Sequence, residues 1–465
     1  MRKRLPFTPY LPDLPPSGQC VVAENVFPAQ EGYIPVPSFQ QVTPALPNIG
    51  GGAAFIGSDG TTTFIAGDRN ALWKYNGAIW QQAMVAMSAD RWRFAQFGDN
   101  AVAVNGSAPV KHNLTGGGAS LVGGNPPEAD MVATVRDFVV LAGDPAARQT
   151  VTWSGLNNLE EWDATDQQSD SQELPDGGEI TGLAGGEYGI ILQRNAIKRM
   201  SYVGVPIVFQ IDTISSNIGC MAKGSVAQTG RLVFFLSERG FQVTDGNDVR
   251  PIGAEKIDRT FFAAYSRQDI EAGIYAAVDP RRNVVMWSMP GTPGLIWCYN
   301  WTLERWSTIR IPVLLVFSGF TANIPLDALD ARYGDLDMIP ISLDDPALAG
   351  GNPLLLIAQP DGTVGTFGGE PLPGRLGLAR FELSDGRARL RTLRPVTDAP
   401  IVTAVVGGSP RADNAPMNET AIDMRKNGDV PVRVNAREFN PTLTFSGAWT
   451  YATGVDVEWE SAGRR

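Results

Sequence analysis

Short runs that alternate apolar and polar residues recur along most of the chain, and turn-forming residues separate them. From Gly50 onward, stretches such as AAFIGSDGTTTFIAGD and RLVFFLSERGFQVTDGNDV place two apolar-rich segments on either side of a polar turn. Alternation with a period of two predicts strands with one buried face, and Asp-Gly or Asn-Gly between two such strands predicts a hairpin. The pattern therefore predicts an all-β fold built from many short strands.

One hairpin phrase occurs twice. Residues 72–76 and 296–300 share the form apolar-Trp-x-Tyr-Asn, and Trp80 and Trp306 follow them across a turn. The two copies are separated by five steps of about 45 residues, the usual length of a four-stranded propeller blade. Further strand-turn-strand units begin at Pro109, Val151, Lys198, Phe241 and Leu354. We therefore predict a β-propeller of six or seven blades, although strands at this density would also suit a long sandwich.

Changes in amino-acid composition and in the alternation of apolar and polar residues divide the chain into three parts. Residues 1–46 are rich in proline and predict an extended arm that docks on a neighbouring surface. Residues 47–372 form the predicted propeller, with an acidic inserted loop near 321–351. Residues 373–465 alternate again around Gly, Pro and Asn, which predicts a C-terminal β-sandwich-like domain. In this domain Val432, Val434 and Trp459 are expected to face the core.

Charge and rare residues narrow the range of functions. The formal net charge of -11 argues against a protein that holds DNA by phosphate contacts, because such binding needs a surplus of Lys and Arg. No apolar run is long enough for a membrane span, and the basic start lacks the apolar stretch of a signal peptide. The three widely separated cysteines (Cys20, Cys220 and Cys298) are expected to be buried thiols without metal or disulfide.

A single histidine limits the available enzymology. His112 stands alone between Lys111 and Asn113, and we expect it to be a surface or turn residue. Histidine-based acid/base pairs and most serine hydrolase triads would have to use it. We therefore expect a protein that is not an enzyme and has no catalytic, cofactor-binding or metal-binding residues.

Two clusters of charge are candidate interface or channel residues. The first is an acidic loop, and the second is an arginine strip in the C-terminal domain. Their members are Glu160, Glu161, Asp163 and Asp166 in the loop, and Arg375, Arg380, Arg387, Arg389, Arg391 and Arg394 in the strip. The strip is interpreted as a subunit interface that meets the acidic loops, with DNA contact and a solvated strand face as alternatives. Adjacent carboxylates are weak evidence for a glycosidase, whose two carboxyl groups must lie on opposite sides of the substrate.

Several phrases resemble one protein family. Residues 11–15 (LPDLP), 23–28 (AENVFP) and 32–37 (GYIPVP) resemble the N-terminal arm of phage tail proteins, and residues 151–162 (VTWSGLNNLEEW) resemble a blade phrase of the same proteins. The order of arm, propeller and C-terminal β-domain is similar to the tail nozzle, or packaged-DNA stabilisation, proteins of short-tailed double-stranded DNA bacteriophages.

The resemblance implies a structural virion protein of the tail, assembled in the cytoplasm of a bacterial host. It implies a homo-hexamer that closes the channel below the portal and its adaptor, retains packaged DNA and lets it exit on infection. The implied partners are the adaptor, tail fibre, spike or needle proteins, and double-stranded DNA that passes without sequence specificity. Two alternatives are a tail-tip receptor- or carbohydrate-binding propeller, in which Trp80, Trp301 and Trp306 stack on sugars, and a propeller glycoside hydrolase.

Overall fold

Short antiparallel strands dominate the structure. The computed structural model describes residues 1–85, 91–164, 166–320, 353–409 and 421–462. Within these ranges the chain forms strands β1 to β40, two α-helices and two 3₁₀ turns (Pro175–Gly177 and Lys223–Ser225). The prediction of an all-β fold is confirmed. The predicted acidic insertion at 321–351 lies outside the described residues.

Five strands lie in the N-terminal 43 residues. They are β1 (Arg2–Pro6), β2 (Cys20–Glu24), β3 (Val26–Pro28), β4 (Tyr33–Pro35) and β5 (Pro37–Thr43). Strands β3 and β4 pair with each other, and β1, β2, β4 and β5 pair with strands from the last two thirds of the same chain. The sequence predicted docking on a neighbouring surface, whereas the observed partners belong to the same chain. Prolines at strand ends leave the ladder donors inside these strands intact.

Six groups of four sequential strands follow, and we call them blades 1 to 6; the first five are separate sheets, and the sixth is part of a ten-stranded sheet. Blades 1 and 2 contain β6 (Gly51–Ile56), β7 (Thr62–Gly67), β8 (Ala71–Tyr75), β9 (Trp80–Val85), β10 (Arg93–Phe97), β11 (Asn100–Val104), β12 (Val110–Asn113) and β13 (Ala119–Leu121). Blades 3 and 4 contain β14 (Met131–Val135), β15 (Phe138–Ala142), β16 (Thr150–Trp153), β17 (Asp170–Glu173), β18 (Ile180–Ala184), β19 (Gly189–Gln193), β20 (Ile197–Gly204) and β21 (Val208–Ser215).

The last two of these blades lie beside the C-terminal domain. Blade 5 contains β22 (Ala227–Thr229), β23 (Leu232–Ser237), β24 (Gly240–Thr244) and β25 (Val249–Pro251), and blade 6 contains β26 (Tyr275–Asp279), β27 (Val284–Met289), β28 (Gly291–Asn300) and β29 (Arg305–Val313). The two copies of the Trp phrase occupy the third strands of blades 1 and 6 (β8 and β28), five blades apart, as the spacing predicted.

A seventh blade closes the ring with a strand from the N-terminal segment. Blade 7 has the order β30 (Leu315–Phe320), β31 (Pro353–Ala358), β32 (Val364–Pro371) and β5. Its innermost strand β30 contacts β6 of blade 1. The unit predicted at Leu354 is therefore the second and third strand of its blade, because the fourth strand comes from the start of the chain. Seven blades agree with the predicted count.

Two sheets form the C-terminal sandwich. Its strands are β33 (Gly374–Leu378), β34 (Phe381–Glu382), β35 (Ala388–Thr397), β36 (Ile401–Ser409), β37 (Ile422–Asp423), β38 (Val430–Ala436), β39 (Glu438–Ser446) and β40 (Ala452–Ser461). One sheet has the order β3-β4-β40-β35-β38, with β1 also on β40. The other continues from blade 6, in the order β29-β2-β33-β39-β36-β37. Val432, Val434 and Trp459 are buried as predicted, while Arg433 and Glu458 are exposed.

The propeller and the sandwich share one hydrophobic cluster. It contains Phe241 of blade 5, Trp306 of blade 6 and Phe445 of the sandwich, and it also contains Phe7 of the N-terminal segment. The rings of Phe7 and Phe445 meet edge to face at 6.0 Å, and those of Phe241 and Trp306 lie 5.1 Å apart. Burial of several aromatic side chains in one cluster stabilises the junction by several kcal/mol, at about 1.5–3 kcal/mol per large side chain.

Two short helices, α1 (Asp258–Ala264) and α2 (Arg267–Gly273), connect blades 5 and 6. Asp13 of the N-terminal segment caps α1, since its carboxylate accepts hydrogen bonds from the backbone N–H groups of Arg259 (2.8 Å) and Thr260 (3.0 Å). The Leu-Pro-Asp phrase thus makes a contact within the chain. In the part of the chain that the structure describes, no helix is long and apolar enough to span a membrane.

Candidate functional site

The arginine strip lies on the sandwich and is largely paired within it. Arg391 reaches Glu460 at 2.7 Å and Arg394 reaches Asp429 at 2.7 Å. Two further pairs join Arg375 to Glu24 (3.2 Å) and Arg380 to Glu438 (3.8 Å). Arg387 and Arg389 are exposed and form no ion pair with another described residue. Four of the six arginines therefore form ion pairs within their own chain.

The acidic loop connects β16 to β17 on the outer side of blade 3. Glu160 forms an ion pair with Lys111 of blade 2, Glu161 accepts a hydrogen bond from the backbone N–H of Asp163 (2.9 Å), and Asp166 accepts one from that of Gln167 (2.8 Å). None of the ion pairs found among the described residues joins this loop to the arginine strip. A contact between the acidic loop and the arginine strip of another subunit stays a prediction.

His112 is buried, and the expectation of a surface or turn residue is wrong. It lies on β12 with Val110 on the same face, and only 3% of the residue is exposed. Burial, with a smaller effect of the Lys74 charge, lowers the pKa of His112 to about 4. Neither ring nitrogen has a hydrogen-bond partner among the described residues. His112 is therefore a neutral side chain of the core. Its neighbours in sequence, Lys111 and Asn113, are polar and do not indicate this burial.

The cysteines and the tryptophans are mainly structural. Cys20, Cys220 and Cys298 are buried free thiols, as predicted. Within the described ranges, no group of three or more His, Cys, Asp or Glu side chains could hold a metal ion.

Trp306 is 1% exposed, and its ring lies 5.6 Å from that of Trp287, so it cannot stack on a sugar.

The strongest candidate for a binding site is the centre of the propeller. The first strands of six blades, and the residues directly before the first strand of blade 5, line a central cavity of about 280 Å³. A second cavity of about 530 Å³ opens at the end where these strands begin, and we call it the channel mouth. Cavities of roughly 300–1,000 Å³ suit small ligands. A duplex of DNA would have to pass outside this propeller.

Charged side chains converge on the channel mouth. They are the cations Arg91, Arg93, Arg148, Arg194 and Lys223, and the carboxylates Asp130, Glu179 and Glu271. Lys223 reaches Asp130 at 2.6 Å. Arg194 bridges two carboxylates, Glu179 at 2.8 Å and Glu271 at 3.0 Å. These pairs tie blade 3 to blade 5, and blade 4 to helix α2.

The cations of the channel mouth lower the pKa of Glu179. Burial acts to raise it, but the hydrogen bond from Arg194 and the charges of Lys223 and Arg148 together lower it below its ordinary value. Arg148 lies 3.5 Å from the same carboxylate. Glu179 is therefore ionised at neutral pH, as the pairing requires.

Arg91 and Arg93 differ from the other cations because carbonyl groups are their described partners. Arg91 donates to the carbonyl oxygen of Ala272, and its guanidinium lies 4.5 Å above the centre of the Tyr275 ring. Arg93 donates to the carbonyl oxygen of Asp130 at 2.5 Å. Burial lowers the pKa of Arg93, the Asp130 charge opposes this, and the charge of Arg91 adds to it.

The sequence contains a signal for the channel mouth, although no motif marks it. Arg91, Asp130, Glu179, Lys223 and Glu271 all lie shortly before the innermost strand of a blade, and they follow one another at intervals of 39, 49, 44 and 48 residues. A charged residue that recurs at the blade period, next to a buried strand, indicates one face of the central channel.

Comparison with known proteins assigns neither a family nor a function to the chain. No family model matches the chain, and no curated protein sequence matches it. Among solved structures, it is similar to the extracellular domain of a hybrid two-component system from B. thetaiotaomicron (TM-score 0.45, 9% identity), with 85% of this chain and 47% of the other covered. The chain thus spans about half the length of that relative.

Two shorter propellers are also similar. BamB from Moraxella catarrhalis has a TM-score of 0.37 and 10% identity, with 73% of this chain and 95% of BamB covered. The Pan2 WD40 domain from Neurospora crassa has a TM-score of 0.37 and 8% identity, with 60% and 88% covered. The propeller assignment follows from the seven blades of the structure themselves.

Proposed function

We propose that this chain is a non-enzymatic structural subunit of a bacteriophage tail, which assembles into a hexameric nozzle below the portal adaptor. The observation that carries the proposal is an apolar hairpin in blade 4, exposed to solvent. The resemblance of the N-terminal phrases and of the blade 3 phrase to phage tail proteins supplies the biological setting. The nozzle would retain packaged DNA and release it on infection.

The hairpin of β20 and β21 presents apolar side chains at its tip. Val203, Val205 and Ile207 are 51%, 72% and 64% exposed. Both strands have eight residues, and they are longer than the outer strands of blades 1, 2, 3 and 5. Clustered apolar side chains on an exposed surface indicate a contact with another protein. We assign this contact to the neighbouring subunit of the ring.

The overall charge suits a channel wall for DNA. A ring of chains that each carry a net charge of -11 repels phosphate over distances up to the Debye length, about 8 Å at physiological salt. Such a wall lets DNA slide without holding it. The arginine strip would then bind other proteins through Arg387 and Arg389. These two arginines form no ion pair with another described residue.

The mass of the purified protein tests the proposal. Light scattering after size-exclusion chromatography should detect hexamers, or complexes with the adaptor. The pair V205D and I207D should reduce the protein to monomers, because burial of two carboxylates is costly. The pair I79D and V85D, at exposed apolar positions of blade 1, is the matched control and should leave assembly unchanged. A wild-type chain that stays monomeric and does not bind the adaptor would overturn the proposal.

One observation favours a receptor- or carbohydrate-binding propeller as the second candidate. Trp301 lines a cavity of about 150 Å³ together with Tyr299, Arg250 and Glu304. An aromatic face beside polar groups is a common arrangement for sugar binding. Glycan binding that W301A abolishes, in a protein that remains monomeric, would support this candidate against the nozzle.

A further inference from the structure

The channel mouth carries more positive charge than its own carboxylates balance. It contains five cations and three carboxylates, although the whole chain is acidic. The three carboxylates take Lys223, Arg194 and Arg148 as partners within 4 Å. Arg91 and Arg93 remain without a carboxylate partner among the described residues. Ion pairing between blades therefore explains three of these cations and leaves two to be explained.

The two remaining guanidiniums have donors to spare. Each guanidinium has five N–H groups, and each of these two donates one described hydrogen bond, to a carbonyl oxygen. Arg91 lies two residues before Arg93, the first residue of β10, and both residues line the channel mouth. An ideal Cβ at Gly224 would lie 2.5 Å from Nη1 of Arg91, so glycine there allows Arg91 to pack beside Lys223.

We propose that the channel mouth binds a phosphate group between Arg91 and Arg93. Two guanidiniums beside a third cation, Lys223, match the charge and the several acceptor oxygens of a phosphate, and Arg binds such oxyanions through paired N–H donors. The cavity of about 530 Å³ accommodates inorganic phosphate or a small phosphate monoester. The burial that lowers the pKa of Arg93 also makes an anionic partner favourable. This site is independent of the proposed role in a tail.

Titration calorimetry with inorganic phosphate tests the site. At constant ionic strength in chloride, we expect saturable binding of one phosphate per chain. R91Q and R93Q should each weaken it by roughly tenfold or more, since each removes charged hydrogen bonds. R433Q removes an exposed arginine without an ion pair among the described residues and should bind phosphate as the wild type does. Phenyl phosphate in place of inorganic phosphate distinguishes a monoester ligand from the free ion.

A second measurement uses the wild-type chain and so does not depend on the folding of a variant. Phosphate should protect Arg91 and Arg93 from modification by phenylglyoxal, as measured by mass spectrometry, and should leave the exposed Arg433 reactive. Three results would overturn the site: no phosphate binding beyond that of chloride, protection absent at Arg91 and Arg93, or binding of succinate in preference to phosphate.

Discussion

Blades 1 to 5 and the C-terminal sandwich are both antiparallel, but their strands find partners in different ways. In the five blades every strand pairs with its neighbour in sequence. In the sandwich β1 pairs with β40, and β2 lies between β29 and β33. Local pairing needs only a hairpin, whereas the sandwich needs both ends of the chain to meet. Each of these five blades therefore forms from one continuous segment of the chain, whereas blade 7 and the sandwich need strands of the N-terminal segment.

Deletion of residues 1–43 should have the largest effect. It removes β2 from the middle of a ten-stranded sheet and β5 from blade 7, and it exposes the shared core. We expect the loss to exceed a typical stability of about 5–15 kcal/mol, so that no cooperative transition remains in thermal unfolding by circular dichroism. Deletion of residues 1–6 removes only the mostly exposed strand β1 and should leave a cooperative transition at a slightly lower temperature. An unchanged midpoint after the longer deletion would contradict the account.

The next largest effect is expected where the propeller meets the sandwich. W306A should destabilise the chain by about 3–5 kcal/mol, because it leaves a large cavity beside Trp287 and Tyr299. W80A, in the equivalent hairpin of blade 1, is the matched control and should cost roughly 1–2 kcal/mol, since Trp80 is only half-buried. Urea unfolding measures both. Equal losses of unfolding free energy would mean that Trp306 at the junction contributes no more to stability than Trp80 in blade 1.

A buried carboxylate near the same junction should make stability depend on pH. Burial, partly offset by the hydrogen bond from the Phe241 N–H and reinforced by the Asp13 charge, raises the pKa of Asp258 from 3.8 to about 6. The folded state therefore binds this proton more tightly, and the resulting stability is lost as the pH rises through 6.

D258N should remove this dependence. The variant should be more stable than the wild type by about 1–2 kcal/mol at pH 7, because it carries no buried charge, and the gain should vanish below about pH 4. Unfolding curves of both proteins at pH 3.5, 5 and 7 measure it. A difference that is constant over this range would rule out the elevated pKa.

The smallest effect concerns the cap that the N-terminal segment provides. D13A should cost about 1 kcal/mol, because it removes two backbone hydrogen bonds at the start of α1. S266A removes the local cap of α2 and should cost a similar amount. Hydrogen exchange distinguishes them, since only D13A should speed up exchange at residues 11–14. The idea fails if the two variants give the same exchange pattern there.

The same contrast explains what the sequence could and could not predict. Alternation and the spacing between Trp73 and Trp297 were enough to predict blades, because hairpin pairing is local. The sequence does not show which strand β5 pairs with, because the backbone N–H and C=O groups of a strand can pair with the free edge of any sheet. His112 was misplaced because its burial depends on the neighbouring blade strands. The channel mouth was missed because its charges come from seven separate segments, and none of them carries a motif by itself.

Amide hydrogen exchange in β2 and β5 tests the central claim most directly. The account predicts that the amides of residues 20–24 and 37–43 are protected as strongly as those of β32, and that this protection is the same at low and high protein concentration. Partners within the chain require no second copy. Protection that appears only when subunits associate would contradict the account, because it would place this segment on a neighbouring molecule.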